Sequence, residues 1–395
     1  MSWRRALLGS ALLLLLFAAG LVVVARRGRA EQRFAYELDP TRIVGALGAG
    51  PPGFALQSGQ ETFRIGNDGA LRHQPAPAQE VPYDISLGAH GDVSFLLSRR
   101  RGDINELHAL RVQPGGKLLF DVKLAEAPSE CGTDGVPPVV ATADALTWVS
   151  LSEPRRLVAL DQTGREVKSV QPCDCDRQPS QNPIDPLCGC AVGHVFAHVS
   201  GLTAQLYDGE EGYSLAWFDT DGRLLHRGRA HRDGRLSFDG NGAFYSLSAS
   251  SRFGCENEPL DGQVRLVRVD TRGCRASAPL SATPLASTDG VVGMAISSRF
   301  VYVATLDPDR ASWKRRLRGL DAEADVSLLM HRLDLEGRYL DSRWASVPHP
   351  EGGQFLPYHT ALKALGDELL LFASVTGQAE RSAKSRWSIL GLSFR

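Results

Sequence analysis

Cysteine and histidine give the sequence its densest cluster of chemistry-bearing side chains. Cys173-Asp-Cys175 and Cys188-Gly-Cys190 lie within eighteen residues of one another, and His194 and His198 follow. Four thiolates, or thiolates with imidazoles, can satisfy tetrahedral zinc. His194 and His198, four apart on a strand, would share one face and could point into a common channel. The C-x-C spacing is less usual for zinc than C-x-x-C, and a metal site would leave Cys131 stranded. The competing chemistry is oxidative: Cys131, Cys173, Cys175, Cys188, Cys190 and Cys255 make an even set suited to two or three disulfides. Cys274 is the odd residue, expected free and packed. An eight-residue strand, roughly 26 Å at ~3.3 Å per residue, would separate it from Cys255, whereas a disulfide tolerates Cα separations of only about 7 Å.

Charge supplies the second candidate. Arg99, Arg100 and Arg101, and Lys314, Arg315, Arg316 and Arg318, form two basic runs that could dock a protein or an anionic envelope polymer. Glu210, Glu211, Glu256 and Glu258 supply the opposite sign elsewhere. Catalytic signatures are missing: the sequence has no glycine-rich phosphate loop, no Gly-x-Ser-x-Gly elbow and no His-Glu-x-x-His helix. No cofactor is implied. With 44 Lys+Arg against 45 Asp+Glu the net charge is −1, which excludes a globally basic nucleic-acid binder. A hydrophobic content of 43% over 395 residues is enough for a packed core.

The elements that must position these residues announce themselves by repetition. Leu157–Val167 (LVALDQTGREV), Leu215–Leu225 (LAWFDTDGRLL), Leu266–Ala276 (LVRVDTRGCRA) and Met330–Leu340 (MHRLDLEGRYL) align without gaps. Each is an apolar alternation, then Asp-x-x-Gly, then a second alternation. Variants occupy Phe63–Leu71 and Leu107–Leu119. Period-two alternation predicts half-buried strands, and Asp with Gly predicts a tight turn, so each copy is a β-hairpin. A second hairpin precedes each, at Leu87–Leu97, Val139–Leu151, Val195–Leu206, Leu236–Leu247 and Val292–Leu306. Two hairpins per ~50 residues make a four-stranded blade. The expected fold is therefore all-β, a β-propeller of seven four-stranded blades in one domain over residues 31–395. The last blade, with strands at Thr360–Leu365, Glu368–Val375 and Trp387–Phe394, lacks a fourth strand. Phe34–Leu38 is spare, so the N-terminal strand is expected to complete that blade and leave no open edge.

The Leu157–Val167 segment resembles the outer hairpin of PQQ-repeat and YVTN-type propellers. The resemblance covers the repeat rhythm over residues 34–394 and implies the fold without implying an activity. The blades lack the Trp-Asp ending of WD40 repeats and the Asp box of sialidases.

Residues 6–25 are uncharged, long enough as a helix to span a bilayer at ~1.5 Å per residue. Residues 1–30 are expected to be a membrane anchor or signal segment, secreting the protein if cleaved. In a propeller the Asp-x-x-Gly turns occupy one face. The long inserts, at Arg99–Glu106, Pro172–Gly189, Arg252–Gly262 and Asp307–Asp325, occupy the other, where binding usually sits. Disulfides need an oxidising compartment, so the propeller is expected on the periplasmic or extracellular side of the cell membrane. A non-catalytic binding or scaffold module fits this pattern. The alternatives are an extracytoplasmic hydrolase, lyase or quinoprotein with a site at the channel mouth, and an envelope protein holding metal on the Cys173–Cys190 cluster.

Overall fold

A computed structural model describes residues 29–38, 44–50, 53–58, 61–65, 70–75, 82–128, 139–143, 145–152, 155–172, 191–198, 200–207, 213–230, 237–248, 255, 261–287, 290–306, 325–348, 353–365, 368–377 and 385–394. Among these the chain is all-β, in seven four-stranded antiparallel sheets. The residues divide into two compact units, one of residues 42–288 and one of residues 1–41 with 289–395.

The larger unit holds five sheets in chain order. The first contains β2 (Val44–Gly50), β3 (Gly53–Ser58), β4 (Glu61–Ile65) and β5 (Leu71–Pro75). The second contains β6 (Pro82–Leu87), β7 (Val93–Arg101), β8 (Ile104–Val112) and β9 (Leu118–Pro128). The third contains β10 (Val140–Ala143), β11 (Leu146–Ser152), β12 (Arg155–Leu160) and β13 (Glu166–Val170). The fourth contains β14 (Ala191–His198), β15 (Gly201–Tyr207), β16 (Tyr213–Phe218) and β17 (Leu224–Ala230). The fifth contains β18 (Ser237–Phe238), β19 (Phe244–Ser248), β20 (Arg265–Asp270) and β21 (Gly273–Ala276). First strands of successive sheets lie side by side, β2 with β6, β6 with β10 and β10 with β14.

The smaller unit holds β22 (Val291–Ile296), β23 (Phe300–Leu306), β24 (Asp325–Asp334) and β25 (Tyr339–Pro348) as one sheet. Its other sheet is β26 (Gly353–Leu365), β27 (Glu368–Gly377), β28 (Ser385–Ser393) and β1 (Glu31–Leu38), in that order. The strand expected at Phe34–Leu38 therefore does complete the C-terminal sheet, with Tyr36 opposite Ile389 and Leu38 opposite Trp387.

Apolar cores lie between neighbouring sheets. Leu96, Ala109 and Phe120 of the second sheet pack on Val149, Val158 and Leu160 of the third. Leu215 and Trp217 of the fourth pack on Phe244, Val267 and Val269 of the fifth. A middle strand is thus covered on both faces, and β19 is buried at all five positions. Half-burial, expected throughout, describes the outermost strands such as β13 and β21. The continuous apolar runs of the middle strands follow from this two-sided covering.

Candidate docking surface

Each sheet has two ends. One, the turn end, carries the connection of first to second and of third to fourth strand; the other, the loop end, carries the remaining connections. The Asp-x-x-Gly turns define the turn end, and their construction repeats. Asp161 Oδ1 accepts from the backbone N–H of Thr163 (2.8 Å) and Arg165 (3.1 Å). Asp219 does the same for Asp221 and Arg223 (2.9 and 2.8 Å), and Asp334 for Glu336 and Arg338 (3.1 and 2.8 Å). The glycine closing the turn takes φ of 82° at Gly164 and Gly222, a left-handed conformation that side chains resist. It also fits tightly: a Cβ on Gly164 would lie 2.6 Å from Val122 of the preceding sheet, and one on Gly222 2.6 Å from Val170. Lys168 reaches across to the carbonyl of Thr220. The turns thus tile neighbouring sheets together.

The Arg99–Glu106 stretch is not an inserted loop, as the arginines had suggested. β7 and β8 continue as a regular ladder to their tip, with Arg99 opposite Glu106 and Arg101 opposite Ile104. Gly102, at φ 62°, makes the two-residue turn possible. The face that carries Leu97 and Leu110 in the core turns ionic towards the loop end. Arg99 Nη1 donates to Asp121 Oδ2 at 2.7 Å. His108 places Nδ1 2.8 Å from Asp121 Oδ1 and Nε2 3.3 Å from Glu106 Oε2. Lys123 Nζ donates to Glu106 at 3.0 Å and to Glu126. The Lys123 hydrogen bond holds the Glu106 carboxyl below the usual range. Of the first basic run, Arg99 is thereby committed within the chain. Arg100 donates to the carbonyl of Gly102 at 3.1 Å, and Arg101 lies exposed, 3.7 Å from Glu106.

One expectation about cysteine is corrected. Cys274 is not free: it is bonded to Cys255, with Cα atoms 5.2 Å apart. Counting residues along one strand misplaced Cys255. β20 has only six residues, and Cys255 packs beside Val267 and Val269, the latter directly opposite Cys274. Cys255 itself thus lies at the turn end, beside the start of β21. His198 is buried, its Nδ1 2.9 Å from Ser200 Oγ and its Nε2 3.1 Å from Thr203 Oγ1. Burial pulls its pKa down. Phe196, on the same strand face between His194 and His198, packs on Phe238 and Phe244, so that face looks at the next sheet. Among the described residues no group of three or more His, Cys, Asp or Glu is placed to hold a metal ion.

Cys131, Cys173, Cys175, Cys188, Cys190, Lys314, Arg315, Arg316 and Arg318 lie outside the described residues, as does the apolar stretch 6–25. Among the described residues no helix is long and apolar enough to cross a membrane. β13 ends and β14 starts at a loop end, and β23 ends and β24 starts at one.

Sequence reasoning missed a buried polar seam between the second and third sheets. Asp84 accepts from the N–H of Ile85 (2.9 Å) and of Val140 (2.8 Å), and Ser86 Oγ from that of Thr142 (3.0 Å). Thr142 Oγ1 donates to Ser94 Oγ at 2.8 Å, and Arg111 Nε to the buried Asp92 at 2.5 Å. Burial pushes the Asp84 pKa up to about 6 despite its two backbone donors. An aspartate between apolar strand residues was the available signal.

No protein-family model matches the chain and no curated protein matches it. Among solved structures it is similar to YCF48 bound to D1 peptide, with TM-score 0.43, 10% identity, and coverage of 93% of this chain and 96% of that one. A Dos1 propeller gives TM-score 0.42 and 10% identity over 89% of this chain and 78% of that chain. A nidogen–laminin complex gives 0.35 and 11% over 75% and 92%. Likenesses this distant lend nothing to the role of any residue. Strand order, register and the side-by-side first strands are what give these sheets the blade topology of a β-propeller.

Proposed function

We propose that the chain is a seven-bladed β-propeller, closed by its N-terminal strand, tethered to the cell membrane and acting outside the cytoplasm as a binding module. The single observation behind the binding role is the asymmetry of the sheets' ends. Turn-end connections run to at most five residues, whereas residues 173–190 and 307–324 belong to connections that leave from loop ends of β13 and β23. Long connections on a rigid scaffold suit recognition. The 307–324 connection contains Lys314, Arg315, Arg316 and Arg318, suited to an acidic protein segment or an anionic envelope polymer. The Cys255–Cys274 disulfide supports an oxidising compartment, and the uncharged residues 6–25 support the tether.

The test is chemical crosslinking of the full chain in its own membrane, beside a variant with Lys314, Arg315, Arg316 and Arg318 changed to Ser. The wild type should give a discrete adduct that the variant loses while remaining folded by circular dichroism. An adduct that persists in the folded variant would remove the basic connection from the binding role.

A further inference from the structure

Four outermost strands share an irregularity that the sequence repeat conceals. In each, the register against the third strand slips by one residue just after the turn. Arg111 pairs with Phe120 but Val112 with Leu118, skipping Leu119. Ala159 pairs with Lys168 but Leu160 with Glu166, skipping Val167. Trp217 and Phe218 face His226 and Leu224, skipping Leu225. Arg332 and Leu333 face Asp341 and Tyr339, skipping Leu340. A β-bulge re-aims the extra side chain, and here that residue is aliphatic every time, three positions after the turn glycine.

Bulges on an edge strand ordinarily discourage sticking, and they do so with polar or charged residues. Of the four bulged residues here, Val167, Leu225 and Leu340 are exposed, while Leu119 packs against the core between the second and third sheets. Among the described residues seven large hydrophobic side chains are exposed, and five of them, Leu118, Val167, Leu224, Leu225 and Leu340, fall within three residues of a turn glycine. The other two, Tyr83 and Ile104, sit at loop ends: Tyr83 at the start of β6 and Ile104 beside the β7–β8 tip. Exposed aliphatic residues therefore gather at the turn ends of both units.

The chain itself indicates what covers them. Glu31, the first residue of β1, lies opposite Ser393, which lies opposite Glu368 beside the β26–β27 turn. β1 thus starts at a turn end. Ala30 N donates to the carbonyl of Trp344 at 2.9 Å, and the Arg29 guanidinium sits over the Trp344 ring, so this entry is fixed to β25, the strand that carries Leu340. The uncharged residues 6–25 precede that entry by a few positions.

We propose that the turn ends of each unit insert their exposed apolar side chains into the headgroup region of the bilayer holding the N-terminal segment. The proposal rests on the membrane-tethered propeller reading given above. Residues two or three beyond the turn glycine stand ~7–10 Å along the strand from it, which matches the ~5–10 Å depth at which interfacial apolar groups reside. Two of the turn arginines are partnered locally: Arg338 Nε lies 2.5 Å from Asp334 and Arg165 Nε 3.6 Å from Asp161. A unit seated this way presents its loop ends to the aqueous phase.

The experiment places a benzophenone amino acid singly at Leu118, Leu225 and Leu340, with Tyr83 and Ile104 as loop-end controls, in the full chain in its native membrane. Irradiation should yield phospholipid adducts at 118, 225 and 340 and none at 83 or 104. Protein adducts at 118, 225 and 340 would overturn the proposal in favour of a protein partner. Adducts at both ends, or none at any position, from a chain that resists carbonate extraction would overturn the insertion and leave the tether standing. A chain released by carbonate would remove the tether, and the insertion with it.

Discussion

Glycine has two separable duties in the repeated turns, and the structure provides a position where only one applies. Gly116 has φ 83° with nothing within 4 Å of where a Cβ would stand, whereas Gly164, at φ 82°, meets Val122 and Phe120. Gly116→Ala should therefore cost only the left-handed backbone term, about 1–2 kcal/mol. Gly164→Ala adds a clash of the overpacking kind and should cost about 2–4 kcal/mol. Urea denaturation of the two variants beside wild type checks this. Equal losses would mean that the turn does not press against the neighbouring sheet. The turns were legible in the sequence because their causes are local: an aspartate that caps its own turn, and a glycine that accepts positive φ.

At the scale of the element, the C-terminal closure was legible for a related reason. Three strands without a fourth, and Phe34–Leu38 without a partner, leave one economical pairing, and the register of β1 on β28 realises it. The bulges were not legible in the repeat. Three of the four gapless repeats carry the extra residue while Leu266–Ala276 pairs without a slip, so the alignment does not register it, and only the exposure of Val167, Leu225 and Leu340 reveals it. The Arg99–Arg101 tip was misread because three arginines do not look like strand. Arg101 meets Glu106 across the hairpin, Arg99 meets Asp121 of β9, and Arg100 donates to the Gly102 carbonyl. The Cys255–Cys274 bond was misread because the count assumed that Cys255 stands at the far end of the strand, whereas it packs beside Val267 and Val269. That bond ties down β21, a four-residue edge strand exposed at three of its positions. Cys274→Ser should destabilise by about 3 kcal/mol on the loop-entropy model. In hydrogen exchange the loss should concentrate in Arg265–Ala276. Unchanged exchange there would show that the sheet holds without the bond.

Across the whole molecule, two buried groups give opposite pH dependences. Asp84, raised from 3.8 to about 6, binds its proton more tightly folded than unfolded. Its contribution to stability is full below pH ~4 and is lost as pH rises through about 6. His331, pulled from 6.5 to about 4 by burial, has Nε2 2.9 Å from Thr305 Oγ1 and a buried Nδ1 with no partner. It stays neutral while the unfolded chain protonates, so its contribution is full above pH ~6.5 and is lost as pH falls towards 4. The groups share no partner, and their slopes oppose each other between about pH 4 and 6.5. Relative to wild type, Asp84→Asn should make Tm rise more steeply with pH across that window, and His331→Gln should make it rise less steeply or fall. Thermal melts at half-unit pH steps would show this, and parallel curves for all three proteins would contradict both assignments.

We propose that this propeller works outside the cytoplasm while held to the membrane, and peptide mapping tests that most directly. The full chain would be taken from its native membrane under alkylating, non-reducing conditions, digested and analysed by mass spectrometry. The account predicts a Cys255–Cys274 cross-linked peptide, recovered from the membrane fraction together with the intact 6–25 segment. Alkylated, unbonded Cys255 and Cys274 on a chain recovered from the soluble fraction would contradict it.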